Sequence, residues 1–234
     1  MRQPRVPVRL ALVALAALAV AVVVWVRVRG DDQPARGPAA AARFVDAWEA
    51  KLRGTYVTEL AFSRTKPDGS ALKESTRLVQ RPPDRLTVGL GAIEGRLNGK
   101  IVRCGTDAAG KGACSATADA KPYDDDVGSE MDTLRSYVAG DRPLYAVVDL
   151  GKGCYRLELA LQLPAPPYGQ QALFCFDKAT GAQTLAVIEH PDIGITERTE
   201  ATAVRGSVTD DDLKLTDDRG APVVANGVTT TTSS

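Results

Sequence analysis

The groups of this 234-residue chain that could do chemistry are few. Four cysteines, Cys104, Cys114, Cys154 and Cys175, and a single histidine, His190, are all that thiol or soft-metal chemistry has to draw on. A zinc site needs ligands at close spacing, but there is no close Cys-x-x-Cys pair and His190 is remote in sequence from every cysteine. An even number of cysteines in one segment reads instead as two disulfides in an oxidising compartment. Three pairings are open, and sequence proximity favours Cys104 with Cys114 and Cys154 with Cys175. The triplet Asp124-Asp125-Asp126, with Glu130 nearby, lacks the spacing of a calcium loop and is explained by negative charge at the N-terminal end of a helix. No metal and no cofactor are assigned.

His190 stands between Glu189 and Pro191 at a strand end. A serine, histidine and acid triad depends on proximity in space, so one histidine does not exclude it, but nothing flags a nucleophile. Gly-x-Ser-x-Gly, a phosphate-cradling glycine loop and His-Glu-x-x-His are all missing. The 29 acidic residues offer carboxylate pairs almost anywhere, which makes choosing one uninformative. The chain therefore reads as a non-enzyme with no catalytic residue assigned.

What positions these groups begins with an address. Leu10 to Val26 is an unbroken apolar run with Arg2, Arg5 and Arg9 before it and Arg27 and Arg29 after it. As a helix it reaches roughly 26 Å, slightly less than a hydrocarbon core of about 30 Å. The run ends in the bulky stretch Trp25 to Arg29, the nearest small residues, Ala39 to Ala42, lie well past it, and no cysteine stands near its end for lipidation. We expect an uncleaved signal anchor and a single-pass protein of the cell membrane, with the bilayer as partner through residues 10–26 and the C-terminal domain extracytoplasmic. The expected organisation is a short tail 1–9, the anchor 10–26, a linker 27–40, one domain 41–218 and a flexible tail 219–234. All 29 acidic residues lie beyond residue 30, against 24 of the 29 basic ones, so the exported part carries about five net negative charges. That balance gives no support to nucleic-acid binding.

Within the domain, Phe44, Trp48 and Leu52 recur at helical spacing over 39–52, and Gly54 stops the helix. The period then changes to two: Tyr56, Thr58, Leu60 and Phe62 share one side of a strand, and Pro67-Asp68-Gly69 turns it into a returning strand over 72–81. Strands over 85–90 and 93–103 follow, with Asn98-Gly99 as a tight turn inside the latter. Residues 105–121 read as a small disulfide-tied excursion. A second helix is expected over 127–138, where Val127, Met131, Leu134 and Val138 repeat at three or four. Strands over 144–150, 154–161, 172–177 and 184–190 come next, then a long strand over 195–205 whose threonines and glutamates suggest a water-facing edge. The loop Leu163-Pro164-Ala165-Pro166-Pro167-Tyr168-Gly169 reads as a rigid connection.

This order of elements resembles the periplasmic lipoprotein carriers, the LolA-like half-barrels, and their mycobacterial-type lipid-binding lipoprotein relatives. The segments that carry the likeness are Gly54-Thr55-Tyr56, Pro82-Pro83-Asp84-Arg85-Leu86, Cys154-Tyr155-Arg156-Leu157 and Phe176-Asp177-Lys178-Ala179-Thr180-Gly181, over roughly residues 40–218. The alanine, arginine and glycine-rich style also looks like an uncharacterised membrane protein of a high-GC Gram-positive bacterium. The resemblance implies an α+β fold, a strongly curved antiparallel sheet or incomplete barrel wrapping helices, here preceded by one N-terminal transmembrane helix. It also implies an apolar cavity for acyl chains, for which Trp48, Tyr56, Leu60, Phe62, Leu78, Met131, Leu134, Leu157 and Phe174 are candidate wall residues. The expected function is non-catalytic binding of the apolar part of a lipid or lipopeptide. Unlike those lipoproteins, this chain lacks a lipobox cysteine and is expected to stay tethered. The alternative is a protein-interaction or sensor domain with an envelope protein as partner, because a similar half-barrel also serves as a sensor domain in proteins this chain resembles.

Overall fold

The computed structural model describes residues 34–89, 92–106 and 112–215. The apolar run Leu10 to Val26 and the C-terminal tail lie outside them, and among the described residues no helix is long and apolar enough to cross a membrane.

A two-residue strand, β1 (Ala35–Arg36), leads into helix α1 (Pro38–Arg53). Pro38 fits the first helical turn, where its missing N–H costs nothing, and Lys51 and Arg53 sit where the dipole favours cations. Six strands follow: β2 (Tyr56–Thr65), β3 (Ala71–Arg81), β4 (Asp84–Gly89), β5 (Ala92–Leu97), β6 (Lys100–Thr106) and β7 (Gly112–Asp119). Asn98 and Gly99, both at positive φ, make the β5–β6 turn, as their types require. Helix α2 (Tyr123–Val138) precedes β8 (Tyr145–Gly151), β9 (Cys154–Leu159), β10 (Gln171–Phe176), β11 (Gln183–His190) and β12 (Ile195–Arg205), and a 3-10 turn spans Asp210–Leu213.

All the strands form one 12-stranded sheet in the order β1-β8-β9-β10-β11-β12-β2-β3-β4-β5-β6-β7, every pairing antiparallel. Its end strands β1 and β7 do not pair, so the barrel is open. The sheet curls around α1: Phe44 packs on Tyr155 and Phe174 of one half, while Gln80 of the other half donates to the Lys51 and Leu52 carbonyls at the helix C-terminus. The α+β half-barrel expected from the sequence is the observed architecture.

Two apolar clusters sit on opposite faces of the sheet. On the concave face, α1 and α2 cover β8–β11, burying Phe44, Trp48, Met131, Leu134, Tyr145, Leu157 and Phe174. On the convex face, Val57, Val79, Leu86, Ile93 and Val102 pack under Leu213 and Leu215 of the C-terminal segment. Both disulfides join directly opposed residues of neighbouring strands, Cys104 with Cys114 and Cys154 with Cys175, the pairing that proximity favours.

Three expectations are corrected. The excursion over 105–121 contains a full strand, β7, whose alternation is muted by the small residues Ala113, Ser115, Ala116 and Ala118. The long strand β12 is internal, paired with β11 and β2; its polarity arises because most of its side chains keep some contact with water. Helix α2 starts at Tyr123, which places the aspartate triplet inside its first turn.

Candidate functional site

The nine side chains chosen from sequence divide into three groups. Trp48, Met131, Leu134, Leu157 and Phe174 are brought together in the concave-face core, all buried. The Trp48 ring meets Phe174 edge-on at 5.2 Å, Tyr168 packs at a tilt on Trp48 and edge-on to Phe174, and the Trp48 Nε1–H donates to Glu130 Oε1 at 2.7 Å. Tyr56 is buried at the C-terminus of α1, its hydroxyl donating to the Lys51 carbonyl. Leu60, Phe62 and Leu78 are half-buried and belong to neither cluster. None of the nine lines the two openings described next.

The first opening is an apolar groove of about 550 Å³ between the N-terminal half of α1, the C-terminal end of α2 and β8. Ala41, Ala42 and Val45 form one wall; Val138, Pro143, Tyr145 and Val147 form the other. Arg36, Asp46 and Arg135 stand at it as the charged groups. The wall is low because α1 carries alanines at successive turns, and β8 approaches closely enough for Arg43 to bond Asp149 at 2.6 Å. The volume falls within the range of small-molecule pockets, and apolar lining with few charged groups is what an acyl chain requires.

The second opening, about 790 Å³, lies at the other end of the helix pair, between the C-terminus of α1, the N-terminus of α2 and the concave face of β4–β6. It is polar. Arg96 pairs with Asp126 and donates to the Lys121 carbonyl at 2.6 Å, and Arg103 pairs with Glu94 at 3.0 Å. Beside it, the Lys51 ammonium sits 3.8 Å over the Trp48 ring. Burial and then the neighbouring Arg85 charge lower the Lys51 pKa to about 8, with Glu130 opposing them. Burial first, with the Glu130 charge adding to it, pushes the Tyr56 and Tyr168 hydroxyls up to about 12, against Arg85 at Tyr56. His190 ends β11 opposite Ile195, and among the described residues no three His, Cys, Asp or Glu side chains gather as a metal site.

No protein-family model matches this chain, and no curated protein matches it in sequence. Solved structures are similar to it. The complex of MucA and MucB from Pseudomonas aeruginosa aligns at a TM-score of 0.47 and 14% identity, over 80% of this chain and 64% of that chain. A putative outer membrane lipoprotein-sorting protein domain from Vibrio parahaemolyticus aligns at 0.28 and 10% identity, over 74% of this chain and 97% of that one. A LolA superfamily protein from Nitrosomonas europaea aligns at 0.26 and 7% identity, over 74% and 96%. This chain thus spans less than two thirds of the MucB-complex chain.

Sequence reasoning missed both openings. Ala41, Ala42 and Val45 share a helical face that the spacing exposes, but their partners Val138, Pro143 and Tyr145 are about a hundred residues away, and no local pattern joins them. Arg85 and Arg96 stand directly opposite each other on β4 and β5, and the period of two within each strand does not tell which face lies open.

Proposed function

We propose that this chain is a membrane-tethered, extracytoplasmic and non-catalytic domain that holds the acyl chain of a lipid or lipopeptide in the apolar groove between α1, α2 and β8. The observation that carries the reading is the position of the groove together with its lining. Its rim begins at Arg36, Gly37 and Pro38, about ten residues after the apolar run ends at Val26. Residues 27–33 can extend over no more than roughly 25 Å, so a chain anchored through 10–26 keeps this groove near the bilayer surface. Arg36 and Arg135 at the rim suit an anionic headgroup once the tail is seated. Leu60, Phe62 and Leu78 offer a second apolar contact on the open stretch of the concave face.

Binding of cis-parinaric acid, whose fluorescence rises when its chain leaves water, tests this reading on the full chain. Ala42 is exposed at the groove wall, so Ala42→Trp fills the space without entering the core. The variant is expected to keep the melting temperature of the parent and to lose most of the fluorescence gain. Equal binding by both proteins removes the groove as the site.

A second reading, a contact domain for an envelope protein, is favoured by one feature. Among the described residues strand β7 ends the sheet and pairs only with β6, so its outer backbone groups can extend the sheet with another chain. Photo-crosslinking from Ser115 in intact cells is expected to capture a single protein on this reading, and none on the first.

A further inference from the structure

The exposed apolar side chains gather at one end of the sheet. Register carries Glu158, Gln171, Glu189, Thr196, Thr65 and Ala71 in one row across β9, β10, β11, β12, β2 and β3. The β9–β10 loop, the β11–β12 turn and the β2–β3 turn therefore all project from the same end. Among the described residues six large apolar side chains are exposed, and four of them, Leu72, Leu161, Leu163 and Ile193, stand on or beside these connections. Single apolar side chains scattered over a surface need no explanation, but a cluster at one end does. The connections are also well tied. The Tyr145 hydroxyl donates to the Gly169 carbonyl at 3.0 Å and accepts from the Tyr168 N–H at 2.9 Å, which fixes the β9–β10 loop. Leu163 and Pro164 share a hollow with Glu189 and Pro191, and Gly194 lies so close to Pro67 that an added Cβ would stand 3.0 Å from its ring. Ordered loops, not slack chain, present these side chains to the outside.

What lies nearest to this end follows from where the chain enters the fold. Ala35 of β1 pairs with Asp149, three residues along β8 from Ala146, and Ala146 pairs with Glu158 of the row. The loop end is thus about 10 Å along the strand from the entry point. Residues 27–33 reach roughly 25 Å, more than enough to bring this end to the bilayer. The apolar groove opens here as well, because Gly140 and Pro143 of the α2–β8 connection line it. We propose that the loop end docks on the bilayer that holds residues 10–26, seating Leu161, Leu163 and Ile193 among the lipid headgroups and turning the groove toward the acyl chains. The proposal rests on the tethered reading given above. The four connections carry Lys66 and Arg142 against Asp68, Asp141 and Asp192, so apolar contact and not charge drives the docking, and anionic lipid is not required.

The test uses the full chain reconstituted in phosphatidylcholine vesicles, with a nitrobenzoxadiazole label on Leu163→Cys, Ile193→Cys or Ala179→Cys. All three positions are exposed, and Ala179 lies in the β10–β11 turn at the opposite end of the sheet. Lipid that carries a nitroxide near its headgroup is expected to quench about half of the emission from the Leu163→Cys and Ile193→Cys labels and to leave the Ala179→Cys label unchanged, as contact at headgroup depth requires. Equal quenching of all three labels means a tethered domain with no preferred face and overturns the proposal. An alkaline carbonate wash reports the tether independently. Protein that survives the wash but shows no quenching of the Leu163→Cys and Ile193→Cys labels overturns the docking alone and leaves this end to a protein partner. Release by the wash overturns the tether and the docking with it. Quenching of the Ile193→Cys label is expected to persist when Ala42→Trp is added, so the docking and the acyl groove fail separately.

Discussion

Asp212 ties the C-terminal segment to β3 and to the end of β12. Its carboxylate, 7% exposed, receives Arg77 from β3 and Arg205 from the end of β12, and both the backbone N–H and the hydroxyl of Thr209. Burial works to raise its pKa, but Arg205, the Thr209 bonds and the Arg205 charge prevail and hold it well below the usual carboxylate range. The unfolded chain therefore takes up the proton first as pH falls. The stabilisation is complete above the unfolded value of about 3.9 and is lost below it as pH falls toward the folded value. Asp212→Asn is expected to cost about 1–3 kcal/mol at neutral pH and to flatten the drop in melting temperature below about pH 4, as followed by circular dichroism. The sequence displays Asp210-Asp211-Asp212 but not its partners, because Arg77 lies 135 residues away and local pattern carries no information at that range. The cysteine pairs were legible for the opposite reason: separations of 10 and 21 make neighbouring strands the simplest partners.

Helix α1 shows how much an element can announce by itself and where that stops. Its apolar face and its end at Gly54 follow from spacing alone, and the buried set Phe44, Trp48 and Leu52 is the one that spacing selects. Its docking against the β10–β11 hairpin depends on Gly181, which sits at φ +76° and whose added Cβ would run into the Ala50 carbonyl. Gly181→Ala is thus doubly opposed, by backbone conformation and by contact, and is expected to lower stability by about 1–3 kcal/mol in urea unfolding with unchanged m-value. The Asp177 side chain, bonded to the Ala179 and Thr180 amides, fixes that hairpin. Strand β12 was readable as a strand but not as an internal one. A threonine and glutamate alternation reports contact with water, and in an open half-barrel a central strand beyond the reach of the helices has that contact as fully as an edge strand.

At the scale of the whole molecule, the sheet separates two cores. One is built with the helices and the other with the C-terminal segment that carries Leu213 and Leu215. That segment closes the convex face of β2–β7, so Leu215→Ala is expected to cost about 2–5 kcal/mol in chemical denaturation. The half-barrel class was legible because every pairing in the sheet except β1–β8 and β12–β2 joins strands that are neighbours in sequence, and the turns between such strands leave signals. Which stretch of concave face the helices leave open was not legible, because α1 and α2 set it by packing on each other and on β8 through side chains distant in sequence. The result is an apolar groove at one end of the helix pair and a polar cleft at the other, with a filled aromatic core between them. Native mass spectrometry of the full chain released from detergent micelles tests the central claim most directly. The account predicts a lipid mass retained on the parent protein and absent from Ala42→Trp; a parent that carries no lipid, or a variant that retains it equally, contradicts the account.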